Sequence, residues 1–283
     1  MTAAAGLTAA IEVLQYDFMQ RALIAAVLVG IAAPSVGVYL VQRRLALVGD
    51  GLGHVAITGV AVGLVTSRSP VTTALVAAVA GALLVELVRA RGRTTGDVAL
   101  AVLFYGGIAG GVVIVSRAPA GTPVNLDSYL FGAITTTTPA DLRTFAVLAL
   151  GVVLVTRGFG RQLFAVSIDE EHARASGLPV LALNLLLAVV TSVTVVVAMR
   201  VVGLLLISAL MVVPVATAQG IARSFRATVA WGVALGVAAS VSGVTISYYA
   251  DTPSGGTIVL VAIAAFAVVS AATALRDRLR ARA

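Results

Sequence analysis

The chain has 283 residues, 60% of them hydrophobic and only 11% charged, with a mean hydropathy of +1.07. Soluble domains carry roughly 25% charged residues and about 45–50% apolar ones with Gly included, so a water-soluble fold is excluded and an integral membrane protein is indicated. All 19 basic residues are Arg; the lack of Lys excludes a Lys-bearing phosphate loop for ATP hydrolysis, and the lack of Cys excludes disulfides and thiolate metal sites.

Residues 1–18 carry Glu12 and Asp17 and no basic region, which reads as an extracytoplasmic segment and not a cleaved signal. Apolar runs long enough to cross a bilayer, about 20 residues each, follow at 19–41, 45–65, 71–90, 98–116 and 142–156, then at 179–199, 201–219, 227–249 and 255–275. The fold class is therefore all-α: one polytopic domain over 19–275 with about nine transmembrane helices, a re-entrant or short outer segment near 126–134, and a basic tail at 276–283. With the C-terminus inside, every Arg falls on the inner side except Arg21, Arg68, Arg117, Arg143 and Arg200. That asymmetry places the N-terminus outside and the C-terminus in the cytoplasm, and it explains the net charge of +7 without nucleic acid as a partner. The lipid bilayer is the first partner.

Two polar segments interrupt the apolar pattern. The outer loop 117–139 holds Asp127 and, at its edge, Asp141, each either solvated or assisting uptake of an ion. The longest inner loop, 158–178, reads as one amphipathic helix with Asp169, Glu170 and Glu171 at its start and Gly177 and Pro179 at its close, the usual start and stop signals. His172 lies in it as a solvated side chain.

Charge within the membrane is costly and therefore informative. In the second span, Asp50 and His54 are four apart and share one helix face. Counted from Arg44 at 1.5 Å per residue they lie about 9 and 15 Å into a core of about 30 Å, with His54 near the midplane. A carboxylate and an imidazole suit Zn²⁺, Mn²⁺ or Fe²⁺ and make half of a four-coordinate site that a twofold dimer would complete. They also suit a structural pair or a proton relay. Gly49, Gly53 and Gly59 let other backbones approach or allow a broken helix. Glu86, with Arg89 one turn on, reads as an interfacial ion pair. Pro214 removes a backbone hydrogen bond within the seventh span, where Ser208 and Thr217 can line a path; Met211 reads as packing.

The stretch ALVGDGLGHVAITGVAVG at 46–63 resembles the signature of the ABC-3 family, permeases of ATP-binding-cassette importers for zinc, manganese and iron, through Gly49, Asp50, His54, Gly59 and Gly63. VGLLLISALMVVPVATA at 202–218, SYLFG at 128–132 and SIDEEHARASGLP at 167–179 are similar to further elements of that family, with Ile168 and Glu170 standing where its loop carries Phe and Pro. The resemblance implies that Asp50 and His54 coordinate the transported divalent metal, with no permanently bound cofactor. It implies that Ile168, Asp169, Glu170, Glu171, Ala173 and Gly177 couple to a separate ATPase, which holds the ATP. The partners implied are two ATPase copies, a second copy of this chain and an extracytoplasmic metal-binding protein, in a bacterial inner membrane. Two transport rivals stand beside it: a proton-coupled secondary carrier, and a permease for metal chelates or cobalamin. An intramembrane hydrolase lacks a nucleophile. The chain itself is not expected to be an enzyme.

Overall fold

A computed structural model describes residues 15–91, 96–117, 129, 130, 132, 134 and 137–282. Eleven helices are formed by these residues: α1 (Asp17–Gln42), α2 (Val48–Val65), α3 (Pro70–Ala90), α4 (Gly96–Val115), α5 (Pro139–Gly158), α6 (Gly160–Ile168), α7 (Glu170–Ala175), α8 (Val180–Val202), α9 (Leu204–Ile221), α10 (Phe225–Ala250) and α11 (Ser254–Arg282). All but α6 and α7 are long and apolar enough to cross a membrane, nine among the described residues, and no strand is present there. In a bilayer a spanning segment must satisfy its own backbone hydrogen bonds, which is why continuous apolar runs of this length become helices.

Boundaries shift for identifiable reasons. The fifth span, expected at 142–156, begins three residues earlier because Thr138 and Asp141 form a reciprocal capping box ahead of the apolar run, with Pro139 following the cap. Conversely the second span starts three residues late, because Arg44 adopts φ 59° and the chain turns through 43–47 before α2 can begin. Gly203, at φ 83° and ψ 156°, is the sole residue between α8 and α9, a corner only Gly takes without strain. Helix α11 continues through the basic tail to Arg282. The expected re-entrant segment and Asp127 lie for the most part outside the described residues.

The bundle centres on α1, which packs against α5, α9 and α10, while α2 lies among α3, α4, α8 and α9. Small residues set these approaches: a Cβ on Gly37 of α1 would fall 1.8 Å from the Met211 carbonyl oxygen of α9. Contacts between helix ends give the directions of the first six spans, which alternate. Asp141 at the start of α5 meets Arg200 at the end of α8, whereas Arg43 after α1 and Arg89 in α3 both meet Glu170 of α7.

Candidate functional site

Asp50 occupies the first turn of α2, where free backbone N–H groups and the helix dipole favour a carboxylate. His54 follows one turn on, its Nε2 3.9 Å from Asp50 Oδ2, and both side chains remain partly accessible at 17% and 25% for His54 and Asp50 respectively. The depth differs from the count made from Arg44, since 43–47 is a turn and not a helix: from Val48 the rise is about 3 Å to Asp50 and about 9 Å to His54. His54 therefore sits about a third of the way along α2, and the unbroken helical count from Arg44 does not hold.

Two other helices flank this face. Ser208 of α9 brings its hydroxyl to 3.5 Å from Asp50 Oδ1, and Phe104 of α4 stands edge-on to the imidazole with ring centroids 4.5 Å apart. The hydroxyl of Thr58 donates to the Gly107 carbonyl at 2.5 Å and reaches the His54 carbonyl at 3.4 Å, fixing α4 to α2. Glycines explain how the helices come so near. A Cβ on Gly53 would lie 1.8 Å from Leu204 Cδ1, one on Gly107 2.7 Å from the His54 carbonyl carbon, and one on Gly59 2.6 Å from Ala74 Cα. Gly49 faces the Met211 sulfur with 3.3 Å for a Cβ, so Met211 packs there. Helix α9 runs through Pro214, which is buried within it together with Thr217.

The donors gathered are thus a carboxylate oxygen, an imidazole nitrogen and a hydroxyl oxygen, a set for borderline divalent ions. No third His, Asp or Glu joins them among the described residues.

The inner loop is two helices in place of the single amphipathic helix expected. Asp169, extended at φ −150° and ψ 104°, ends α6 and caps α7 by accepting the His172 N–H at 2.9 Å. The acids at 169–171 are therefore the start signal of the second helix alone, and Gly177 at φ 80° follows its end. Ile168, Asp169, Glu171, His172 and Gly177 are exposed, whereas Ala173 is buried and Glu170 turns toward the bundle.

Glu170 accepts from Arg43 and, at 2.6 Å, from Arg89; Asn184 of α8 also reaches it at 3.3 Å. Arg89 in turn grips Glu86 through Nη2 and Nε at 2.8 and 3.1 Å, the ion pair expected from the sequence. One carboxylate thus ties the C-terminal ends of α1 and α3 to the N-terminal ends of α7 and α8. Burial pushes the Glu170 carboxyl up, but the Arg89 and Arg43 guanidiniums outweigh it and hold the group below the usual carboxylate range. The pairing partners lie 127 and 81 residues away, out of reach of any local pattern.

Asp141 is neither solvated nor free: it is 9% exposed, caps α5 and accepts from Arg200 at 2.5 Å.

A family model described as the ABC 3 transport family matches residues 15–273. The chain is 32% identical to the manganese transport system membrane protein MntC of Halalkalibacterium halodurans, over 91% of this chain and 88% of that one. It is 30% identical to the manganese import system permease protein ScaB of Streptococcus gordonii, over 89% and 90%. Among solved structures it is similar to PsaBC from Streptococcus pneumoniae in complex with Fab, at a TM-score of 0.81 and 30% identity, covering 93% of this chain and 95% of that one. With the match running from before α1 into α11 and including the Asp50 and His54 helix, the chain belongs to the ABC 3 transport family.

Proposed function

We propose that this chain is the membrane-spanning permease of an ATP-binding-cassette importer for divalent metal ions. The observation that carries the reading is the Asp50–His54 pair, joined by the Ser208 hydroxyl from a second helix, in a family whose relatives are named as manganese transport proteins. Asp50 and His54 form a transient station for Mn²⁺, Zn²⁺ or Fe²⁺. The remaining coordination comes from water or from a second copy of the chain, whose twofold arrangement forms the path for alternating access. Partial coordination suits a transported ion, because a station must bind loosely enough to release.

The ATPase grips the exposed edge of the inner loop at Ile168, Asp169 and Glu171, and Gly177 sets the close of that edge. Glu170 and Ala173 face the bundle and carry the movement inward. This loop lies in the cytoplasm, with the N-terminus outside, and an extracytoplasmic binding protein delivers the ion to the outer face. The chain makes no covalent bond; ATP is hydrolysed on the partner.

The test is Mn²⁺ uptake into proteoliposomes holding the chain and its ATPase, with Zn²⁺ and Fe²⁺ as competitors. Uptake is expected to require ATP and to be abolished by Asp50→Ala and by His54→Ala in complexes that still assemble. Uptake that persists without ATP and follows an imposed proton gradient would refute the proposal, and transport retained in both variants would remove the pair from the path.

A further inference from the structure

On the far side of α1 from the Asp50–His54 pair's helix lies a groove of about 1010 Å³. Helix α1 is its floor, packed against both α5 and α10, which rise as walls. From its mouth, apolar side chains of all three helices line it: Val153 on α5, Val229 and Val233 on α10, and Ile31 on α1. Val233 lies eight residues into α10 and Ile31 eleven residues before the end of α1, so the groove runs about 12–16 Å along the helices, a depth suited to much of one acyl chain.

The mouth is cationic. Arg157, Arg161 and Arg226 all line it, all three are exposed, and no acidic residue is among the lining side chains. Among the described residues none of the three has a carboxylate within ion-pairing distance, whereas Arg43, Arg89 and Arg200 each do. Two of them are placed against their helix dipoles. Arg161 is in the first turn of α6 and Arg226 in the first turn of α10, where the partial positive charge of the terminus disfavours a cation and favours an anion. Two helix N-termini and three unpaired guanidiniums therefore converge on one mouth. Beside them Tyr39, Phe225 and Phe164 cluster as tilted rings, with centroids 5.5 and 4.3 Å apart, the kind of aromatic group that marks a membrane interface.

We propose that this groove binds an anionic phospholipid, its phosphodiester held by Arg157, Arg161 and Arg226 and an acyl chain lying along α1 between α5 and α10. A basic pocket between transmembrane helices at the headgroup level is the arrangement that anionic lipids recognise. Charge complementarity selects this occupant: an apolar slot alone would accept any lipid, and a basic patch alone any phosphate.

Native mass spectrometry of the purified permease–ATPase complex, exchanged into equimolar phosphatidylglycerol and phosphatidylcholine, tests it. Phosphatidylglycerol is expected to be retained preferentially. Each Arg→Gln change in the mouth should lower that preference by about fivefold, and the triple variant should lose it. Arg276→Gln with Arg278→Gln, at the far end of α11, should leave it intact. Ala230→Trp, which fills the groove and keeps every Arg, should also lower retention, and it serves if the triple variant does not assemble. Equal retention of both lipids, or unchanged preference in the triple variant and in Ala230→Trp, would overturn the proposal. Displacement by glycerol phosphate at low concentration would overturn it in favour of a free phosphate ligand. Cross-linking from position 161 that captures the ATPase and never lipid would assign the mouth to that protein instead.

Discussion

Replacing Glu170 by Gln removes the one charge shared by Arg43 and Arg89 while keeping the side chain's size. Arg43 is the most dependent member of the clamp: its side chain is only 6% accessible, and Glu170 is its sole ion-pair partner among the described residues. Arg89 keeps Glu86. Stripping one partner from a buried ion pair costs about 3–5 kcal/mol, and a hydrogen bond to a charged group about 1.5–3 kcal/mol. Glu170 remains 31% accessible, so water repays part of the loss, and about 2–3 kcal/mol is expected. A double-mutant cycle with Arg43→Gln, read by denaturation in detergent, should give a coupling of about 2 kcal/mol. Uptake per ATP hydrolysed should fall more steeply in Glu170→Gln than ATPase binding does, because the residue faces the bundle and not the partner. Additivity of the two substitutions within about 0.5 kcal/mol, with coupling efficiency unchanged, would refute the clamp. Acid gives an independent check. Since the folded carboxyl titrates below its ordinary value of 4.5, its stabilisation is complete above about that pH and is lost as pH falls through the lower folded value; Glu170→Gln should flatten the acid limb of stability.

Two further outcomes follow from the packing. Gly37→Ala should lower stability by about 3 kcal/mol or more, because its methyl would meet the Met211 backbone oxygen, which no rotamer change can move, whereas Gly151→Ala, with open space around it, should be close to neutral; equal thermal shifts in the two would contradict the helix spacing. Asp141→Asn should weaken both the α5 cap and the Arg200 contact, costing about 1–2 kcal/mol without affecting metal selectivity; a changed order of ion preference in competition uptake would return Asp141 to the path.

Much of this fold is written locally. Apolar run length yields the nine spans, because a bilayer enforces helices of one size, and the four-residue spacing of Asp50 and His54 survives as a shared face even though the start of their helix shifts. The helix start was hidden at Arg44, whose left-handed backbone is not encoded in hydropathy. Pairing across the chain was equally hidden. Glu170 could be seen as a helix-start acid, but its arginines arrive from distant spans, and the break at Asp169 looks in sequence like one more acidic residue. The neighbours of His54 had a faint signal in the doublets Gly106–Gly107 and Gly110–Gly111, which space small residues one turn apart as a close helix crossing requires; nothing in that spacing singled out Phe104. Ser208 was visible as a polar residue near Pro214, yet only the fold brings it to Asp50.

The corner at Gly203 bears on how an ion could be let go. Ser208 stands five residues beyond it, about 7.5 Å along α9, so on the proposed function α9 would act as a short lever with its fulcrum at one glycine. A tilt of about 10° there carries the Ser208 hydroxyl by about 1.3 Å, enough to part it from Asp50 while the Asp50–His54 pair stays whole on its own helix. Holding and releasing would then differ by a small swing of one helix rather than by dismantling the pair, with Leu204, seated over Gly53 directly after the corner, as the contact against which that swing would turn.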